Sequence, residues 1–199
     1  MRRLLMLLVA VGLAACQDNS GPGGVPDPQL NFVRQDVAAP PLVATRDSFW
    51  AKVADGREVA LFYQGATPAD SGDEFLRFEV SGDGLYRKPD GSAFQTGDSI
   101  LITVTLVDAA KFIFQFEPAG LQFSPSHPAR LKVRYANSDK DFNGDGVEDS
   151  TDVEIETELD LWYRSAPGAL WFKVGAVKFE NLDEIDANIT TFSQYAVAW

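Results

Sequence analysis

An antiparallel β-sandwich is the fold this sequence predicts, and three observations predict it. Apolar and polar residues alternate with a period of two along most of residues 48–199, the spacing at which a strand turns one face inward and the other outward. Clusters of Gly, Pro, Asp and Ser interrupt the alternation at short intervals, as turns between strands do. No stretch of about twelve residues carries a convincing helical period. Roughly ten to twelve short strands with no helices between them close into a sandwich or barrel of antiparallel sheets.

The elements follow in chain order. Residues 49–53 form a first strand, Asp55-Gly56 a turn, and residues 58–63 its hairpin partner. Residues 74–80 alternate Phe75, Arg77 and Glu79 against Leu76, Phe78 and Val80, ahead of turns at residues 81–84 and 89–91. In residues 99–107, Ile100, Ile102, Val104 and Leu106 share one face. Residues 112–116 and 129–135 read as further strands. The most regular alternation spans residues 153–163. Val153, Ile155, Thr157, Leu159, Leu161 and Tyr163 fall on one face, and Glu154, Glu156, Glu158 and Asp160 on the other. The spacing predicts one eleven-residue strand whose carboxylates form a solvated face, not a catalytic pair. Residues 169–174, 177–180, 185–190 and 194–199 complete the set.

The chain has 199 residues, of which 45% are hydrophobic and 12% aromatic. That is enough to fill one core over residues 43–199 without covalent staples. Cys16 is the only cysteine and His127 the only histidine. Internal disulfides, zinc sites built on Cys and His, and Cys–His nucleophilic dyads within the domain are thereby excluded. His127, between Ser126 and Pro128, reads as an exposed turn residue. No Gly-rich phosphate loop and no nucleophile elbow is present.

Residues 1–16 are an address. Arg2 and Arg3 precede a ten-residue apolar run, residues 4–13, which is short for a bilayer span of about 20 residues but suits a signal peptide. Leu13-Ala14-Ala15-Cys16 resembles the bacterial lipobox, in which small residues precede a cysteine that receives diacylglycerol as a thioether. The resemblance implies a signal peptide at residues 1–15, a lipidated Cys16, and an extracytoplasmic domain held in the cell envelope. Gln17 lacks the acidic character that retains enteric lipoproteins in the inner membrane, which points to the outer one. Gly, Pro, Asn and Asp dominate residues 17–42, so residues 16–42 read as the lipidated cysteine and a flexible tether. Removing residues 1–15 takes away two bases and no acid from the 17 bases and 29 acids, so 15 against 29 remain, a net charge of -14. Such a surface repels phosphate backbones, and nucleic acid is not an expected partner. It attracts cations.

One segment gives that attraction a site. Residues 141–152 read DFNGDGVEDSTD, the pattern D-x-N-x-D-G-x-x-D-x-x-D. Ca²⁺ takes six to eight oxygen ligands, and such a loop offers them in turn: the side chains of Asp141, Asn143 and Asp145, the Val147 carbonyl, Asp149 directly or through water, and Asp152 closing the shell. Gly146 permits the sharp turn at its sixth position. The loop resembles EF-hand and dockerin-type calcium loops, with Asp152 at position 12 as in dockerins. Its flanks at residues 130–135 and 153–163 both read as strands, so the expectation is a β–β connection ordered by a structural Ca²⁺.

The second half, about residues 112–199, resembles ZU5-type β-sandwich domains in three segments. They are Phe116-Glu117-Pro118-Ala119-Gly120-Leu121-Gln122-Phe123, then Pro128-Ala129-Arg130-Leu131-Lys132-Val133-Arg134-Tyr135, and last Ile189-Thr190-Thr191-Phe192-Ser193-Gln194-Tyr195-Ala196-Val197, with Trp171 between. The resemblance implies a scaffold or interaction module. Some members cleave themselves at a His-Phe-Ser sequence. Here Thr191 stands in the His position and cannot accept a proton at neutral pH as imidazole does, so no cleavage at Ser193 is expected.

The sequence thus predicts a membrane-anchored, non-catalytic binding or structural module, ordered by Ca²⁺, whose partner is an envelope or extracellular protein or glycan. Two alternatives stand beside it. A carbohydrate-binding module would expose Trp50, Trp162, Trp171 or Trp199 on one plane. A hydrolase of envelope polymers would hold two buried carboxyls in a deep cleft.

Overall fold

A computed structural model describes residues 23–65, 71–108 and 110–199. The signal peptide expected at residues 1–15 and Cys16 lie outside the described residues. The described residues form thirteen strands: β1 (Arg46–Lys52), β2 (Arg57–Gln64), β3 (Ser71–Val80), β4 (Leu85–Arg87), β5 (Ser99–Asp108), β6 (Ile113–Glu117), β7 (Gln122–Phe123), β8 (Ala129–Arg134), β9 (Asp160–Arg164), β10 (Phe172–Lys173), β11 (Val177–Phe179), β12 (Glu184–Ile189) and β13 (Gln194–Ala198). One helix, α1 (Ser150–Glu158), stands between β8 and β9. The fold is the expected all-β antiparallel sandwich. One sheet runs β1-β5-β6-β13-β9-β10 and the other β11-β12-β8-β3-β2, with a small β4-β7 pair beside them.

The period-two pattern explains the layering. Ile102, Val104 and Leu106 of β5 and Leu131 and Val133 of β8 all point between the sheets and are buried. Aromatic rings bridge the gap: Phe75 of β3 meets Phe112 and Phe114 at 5.1 and 5.7 Å, and Phe78 meets Phe116 at 5.2 Å. Edge-on and tilted contacts at such separations suit the charge distribution of the rings.

The structure departs from the sequence reading in three places. First, β1 and β2 do not form a hairpin. β1 pairs with β5, from Arg46↔Thr105 to Lys52↔Ser99, while β2 pairs with β3 in the opposite sheet. The turn between them is held from outside, since Ala54 N donates to Gly82 O at 2.9 Å. It carries the chain across the sandwich, so that two apolar faces meet face to face instead of lying side by side.

Second, residues 153–163 are not one strand. Their first half belongs to α1, and only β9 continues as strand. Asp149 caps the helix: its side chain accepts from Thr151 N, and the side chain of Asp152 accepts from the Asp149 N–H in return. Such a reciprocal pair satisfies two amides left open at a helix start. At the other end Lys178 donates its ammonium to Glu156 O, and Lys140 Nζ lies 3.4 Å from the Glu156 carboxylate. Cations there offset the exposed carbonyls of the last turn. Helical winding turns Val153 out to solvent and leaves Leu159 buried, so the alternation does not report the burial.

Third, residues 25–42 are not a free tether. Leu30 and Val33 are buried. Val25 exchanges two backbone bonds of 2.8 Å with Trp171, and Asn31 exchanges bonds of 3.3 and 3.1 Å with Trp199. This strap crosses the outer face of the six-stranded sheet and builds a second small core with Ile113, Trp162, Trp171, Ala196 and Ala198. Leu42 then bridges to Tyr63 along the edge of β2. Proline and polar residues hide the strap's few apolar anchors in the sequence, but each anchor finds a pocket.

Candidate metal centre

The acidic loop leaves the sandwich at the end of β8 and returns through α1. Its root is anchored on three elements. Asp139 N donates to Arg34 O of the strap at 2.9 Å. Phe142 is buried and meets the C-terminal Trp199 edge-on at 5.6 Å. Asp152, in the first turn of the helix, is also buried. The first residues of the loop, Asp141, Phe142, Asn143 and Gly144, line a cleft of about 210 Å³ with Arg34 and Trp199 among its other walls.

Within the loop the side chains of Asp141, Asn143, Asp145, Asp149 and Asp152 turn back on the backbone. Asp141 Oδ1 accepts from Gly144 N at 2.8 Å and Asp145 N at 3.1 Å, and its Oδ2 accepts from Gly146 N at 2.7 Å. Asn143 Oδ1 accepts from Asp145 N at 2.8 Å, and Asp145 Oδ1 from Val147 N at 2.9 Å. Asn and Asp make such local turns readily. Gly146 sits at φ +87° and Gly144 at +75°, left-handed values that a side chain would strain. Asp152 closes the loop: Oδ1 accepts from Asn143 N at 3.1 Å and Oδ2 from Asp149 N at 2.9 Å. The Asp149 and Asn143 amides hold its carboxyl below the ordinary range.

The six predicted ligand positions therefore lie on one turn of chain, at successive steps of a curled loop. The donor chemistry fits a hard cation, since every side chain offered is an oxygen donor. Convergence is a separate matter. Among the described residues no group of three or more Asp, Glu, His or Cys side chains gathers as ligands. Local bonds hold them apart: Asp145 Oδ2 accepts from Asn143 Nδ2 at 3.1 Å, and Asp149 is turned toward Thr151 N at 2.7 Å. A carboxylate has about four lone-pair sites, so Asp145, Asp149 and Asp152 each keep free ones. The sequence found the loop and its glycines but not the helix that carries Asp152. The signal was present, since Asp149 followed three residues later by Asp152 is a helix-start pattern.

No protein-family model, no curated protein and no solved structure matches this chain.

The remaining candidate residues are placed by the chain's own contacts. Trp50 is 60% exposed, Trp162 and Trp171 are buried, and Trp199 is partly buried. The four indoles make no common platform. Ser193 is buried, and its hydroxyl donates to Ser165 O at 2.6 Å. His127 is exposed in the Ser124–His127 turn. The first and third segments of the predicted family likeness interlock: Phe192 N donates to Leu121 O at 3.0 Å, Phe123 N to Thr190 O at 2.9 Å, and the rings of Phe123 and Phe192 stand 4.9 Å apart. The second segment is β8 in the facing sheet. Among the described residues two acids are buried. Glu184 is paired with Lys132 at 3.3 Å and Arg134 at 3.0 Å, and Asp152 is shifted in the direction opposite to that of a general acid.

Proposed function

We propose that this chain is a lipid-anchored extracytoplasmic module that binds other envelope or extracellular components, and that residues 141–152 hold a structural Ca²⁺. The anchor reading rests on the lipobox at Cys16. The binding role rests on the ZU5-like segments and on buried acids that are held in structural contacts, Glu184 by Lys132 and Arg134 and Asp152 by the loop amides. One observation carries the calcium reading: the oxygen-rich loop is wound on Gly144 and Gly146 and closed by a buried Asp152. Asp141, Asn143, Asp145, the Val147 carbonyl, Asp149 and Asp152 would hold the ion. Bound there, it would offset the mutual repulsion of five acids within twelve residues and bind the ends of β8 and α1 to one another. Extracellular calcium is abundant enough for an affinity of about 10⁻⁴–10⁻³ M to suffice.

Calorimetric titration of residues 17–199 with Ca²⁺, beside an Asp141→Ala/Asp145→Ala variant, tests the site. Saturation at one hundred times Kd stabilises by about 2.7 kcal/mol, a rise in Tm of roughly 5–10 °C at this size. Equal heats from both proteins, or a Tm indifferent to chelator, end the calcium reading. The anchor is tested separately. Radiolabelled palmitate enters the wild type and not a Cys16→Ser variant, and equal labelling rules it out.

A further inference from the structure

We propose that the lateral edge of the sandwich made by β10 and β11 is a lipid-facing surface, resting on the bilayer that carries the Cys16 anchor. The proposal rests on the anchor reading and adds an orientation to it.

The docked strap sets the geometry. Because Val25 is bonded to Trp171 and Asp27 to Arg164, only eight residue steps separate Cys16 from Gly24. Eight residue steps span at most about 30 Å when fully extended, against a tether of residues 16–42 on the sequence reading. The strap reaches the domain at β10. Gly24 lies so close to Leu170 and Phe172 that a Cβ added to it would come within 2.7 Å of both side chains. That point is therefore where the chain from the anchor meets the domain. Strand β1, at the opposite edge of the same sheet, is five strand spacings away, about 24 Å.

The surface at that point is apolar. Leu170 is 45% exposed and Phe172 43%; across the short connection, Val177 is 59% and Phe179 39% exposed. β10 and β11 are the edge strands of the two sheets, on the same side of the sandwich. Lys173, exposed on β10, stands beside them, while Lys178 on β11 is turned inward to the end of α1. In a chain with this excess of acid, a cation beside apolar residues eases the approach to a headgroup layer. A second copy adding a strand is a poorer occupant. These edge strands have two and three residues, too short to template a ladder.

The test uses the full lipidated protein in phosphatidylcholine vesicles. Lipidation occupies the only native cysteine, so Phe172→Cys, Val177→Cys and, as the distant control on β1, Ser48→Cys each accept a single nitroxide. Collision with oxygen, which concentrates in lipid, is compared with collision with a water-soluble nickel chelate. The expected result is flotation of all three proteins with the vesicles, with an oxygen-to-nickel ratio severalfold higher at residues 172 and 177 than at residue 48. Flotation with equal ratios at the three sites overturns the lipid-facing edge and leaves the anchor standing. Failure to float overturns the anchor, and the orientation with it. Labels shielded from both reagents, increasingly so at higher protein-to-lipid ratio, would assign the edge to a second copy and overturn the proposal.

Discussion

Arg164 illustrates how much one side chain organises. Its guanidinium is buried, donates from Nε to Gln194 Oε1 at 2.6 Å and from Nη1 to both Asp27 oxygens at 2.8 and 3.0 Å, and lies 4.4 Å over the Trp171 ring. Trp171 Nε1 donates to the same carboxylate. Asp27 is thus the clasp that closes the strap, with both its oxygens accepting a charge-assisted bond from Nη1. Replacing it, Asp27→Ala, removes one partner of a charge that stays buried. Because the Asp27 side chain is 52% exposed, water replaces part of the loss, and the expected cost is about 1–3 kcal/mol. Urea unfolding measures it, and limited proteolysis within residues 25–34 should quicken in parallel. An unchanged midpoint would mean that the strap's apolar anchors hold it without the clasp.

At the scale of elements, α1 and the acidic loop form one unit. Asp152 serves both, closing the loop on Asn143 N and capping the helix through Asp149 N. Asp152→Ala leaves those two amides without that carboxylate and lowers stability. Thermal unfolding in chelator should report it, and faster amide exchange at Asn143 and Asp149 should localise it. Loss of exchange protection spread over the sheets instead would show that loop and sandwich unfold as one. The same unit explains the largest error of the sequence reading. Residues 153–163 alternate as well as any strand in the chain, yet the cap at Asp149 starts a helix, and Lys140 and Lys178 secure its far end. Lys178 lies far along the chain from α1, so no local pattern includes it. The proposed ligand residues of the loop were legible because their spacing is local. The side-chain bonds that hold Asp145 and Asp149 away from one another were not.

At the scale of the whole molecule, the core is rich in phenols that burial keeps protonated. Burial pushes the hydroxyls of Tyr63, Tyr135, Tyr163 and Tyr195 above their ordinary value, and for Tyr135 the neighbouring Glu156 adds to the effect. A raised folded-state value means stability that is intact below the unfolded tyrosine range, near 10, and is lost as pH climbs above it. Tyrosinate absorbance from these residues should therefore rise together with loss of circular dichroism on an alkaline titration. A smooth rise that precedes unfolding would show that water reaches the phenols in the native state.

Some of this protein was fixed by local sequence. The acidic composition, the proposed address at Cys16, the strand positions in β3, β5, β8 and β13, and the curled loop around Gly146 all depend on residues near one another in the chain, where periodicity and turn chemistry act directly. Tertiary structure alone decided which strands pair, that β1 and β2 part into opposite sheets, that an alternating segment winds into α1, and that a proline-rich stretch with few apolar residues is a strap and not a leash. Each of those outcomes depends on a contact between distant residues, Ala54 with Gly82, Glu156 with Lys178, Asp27 with Arg164. Their free energy exists only once the sandwich has brought the partners together.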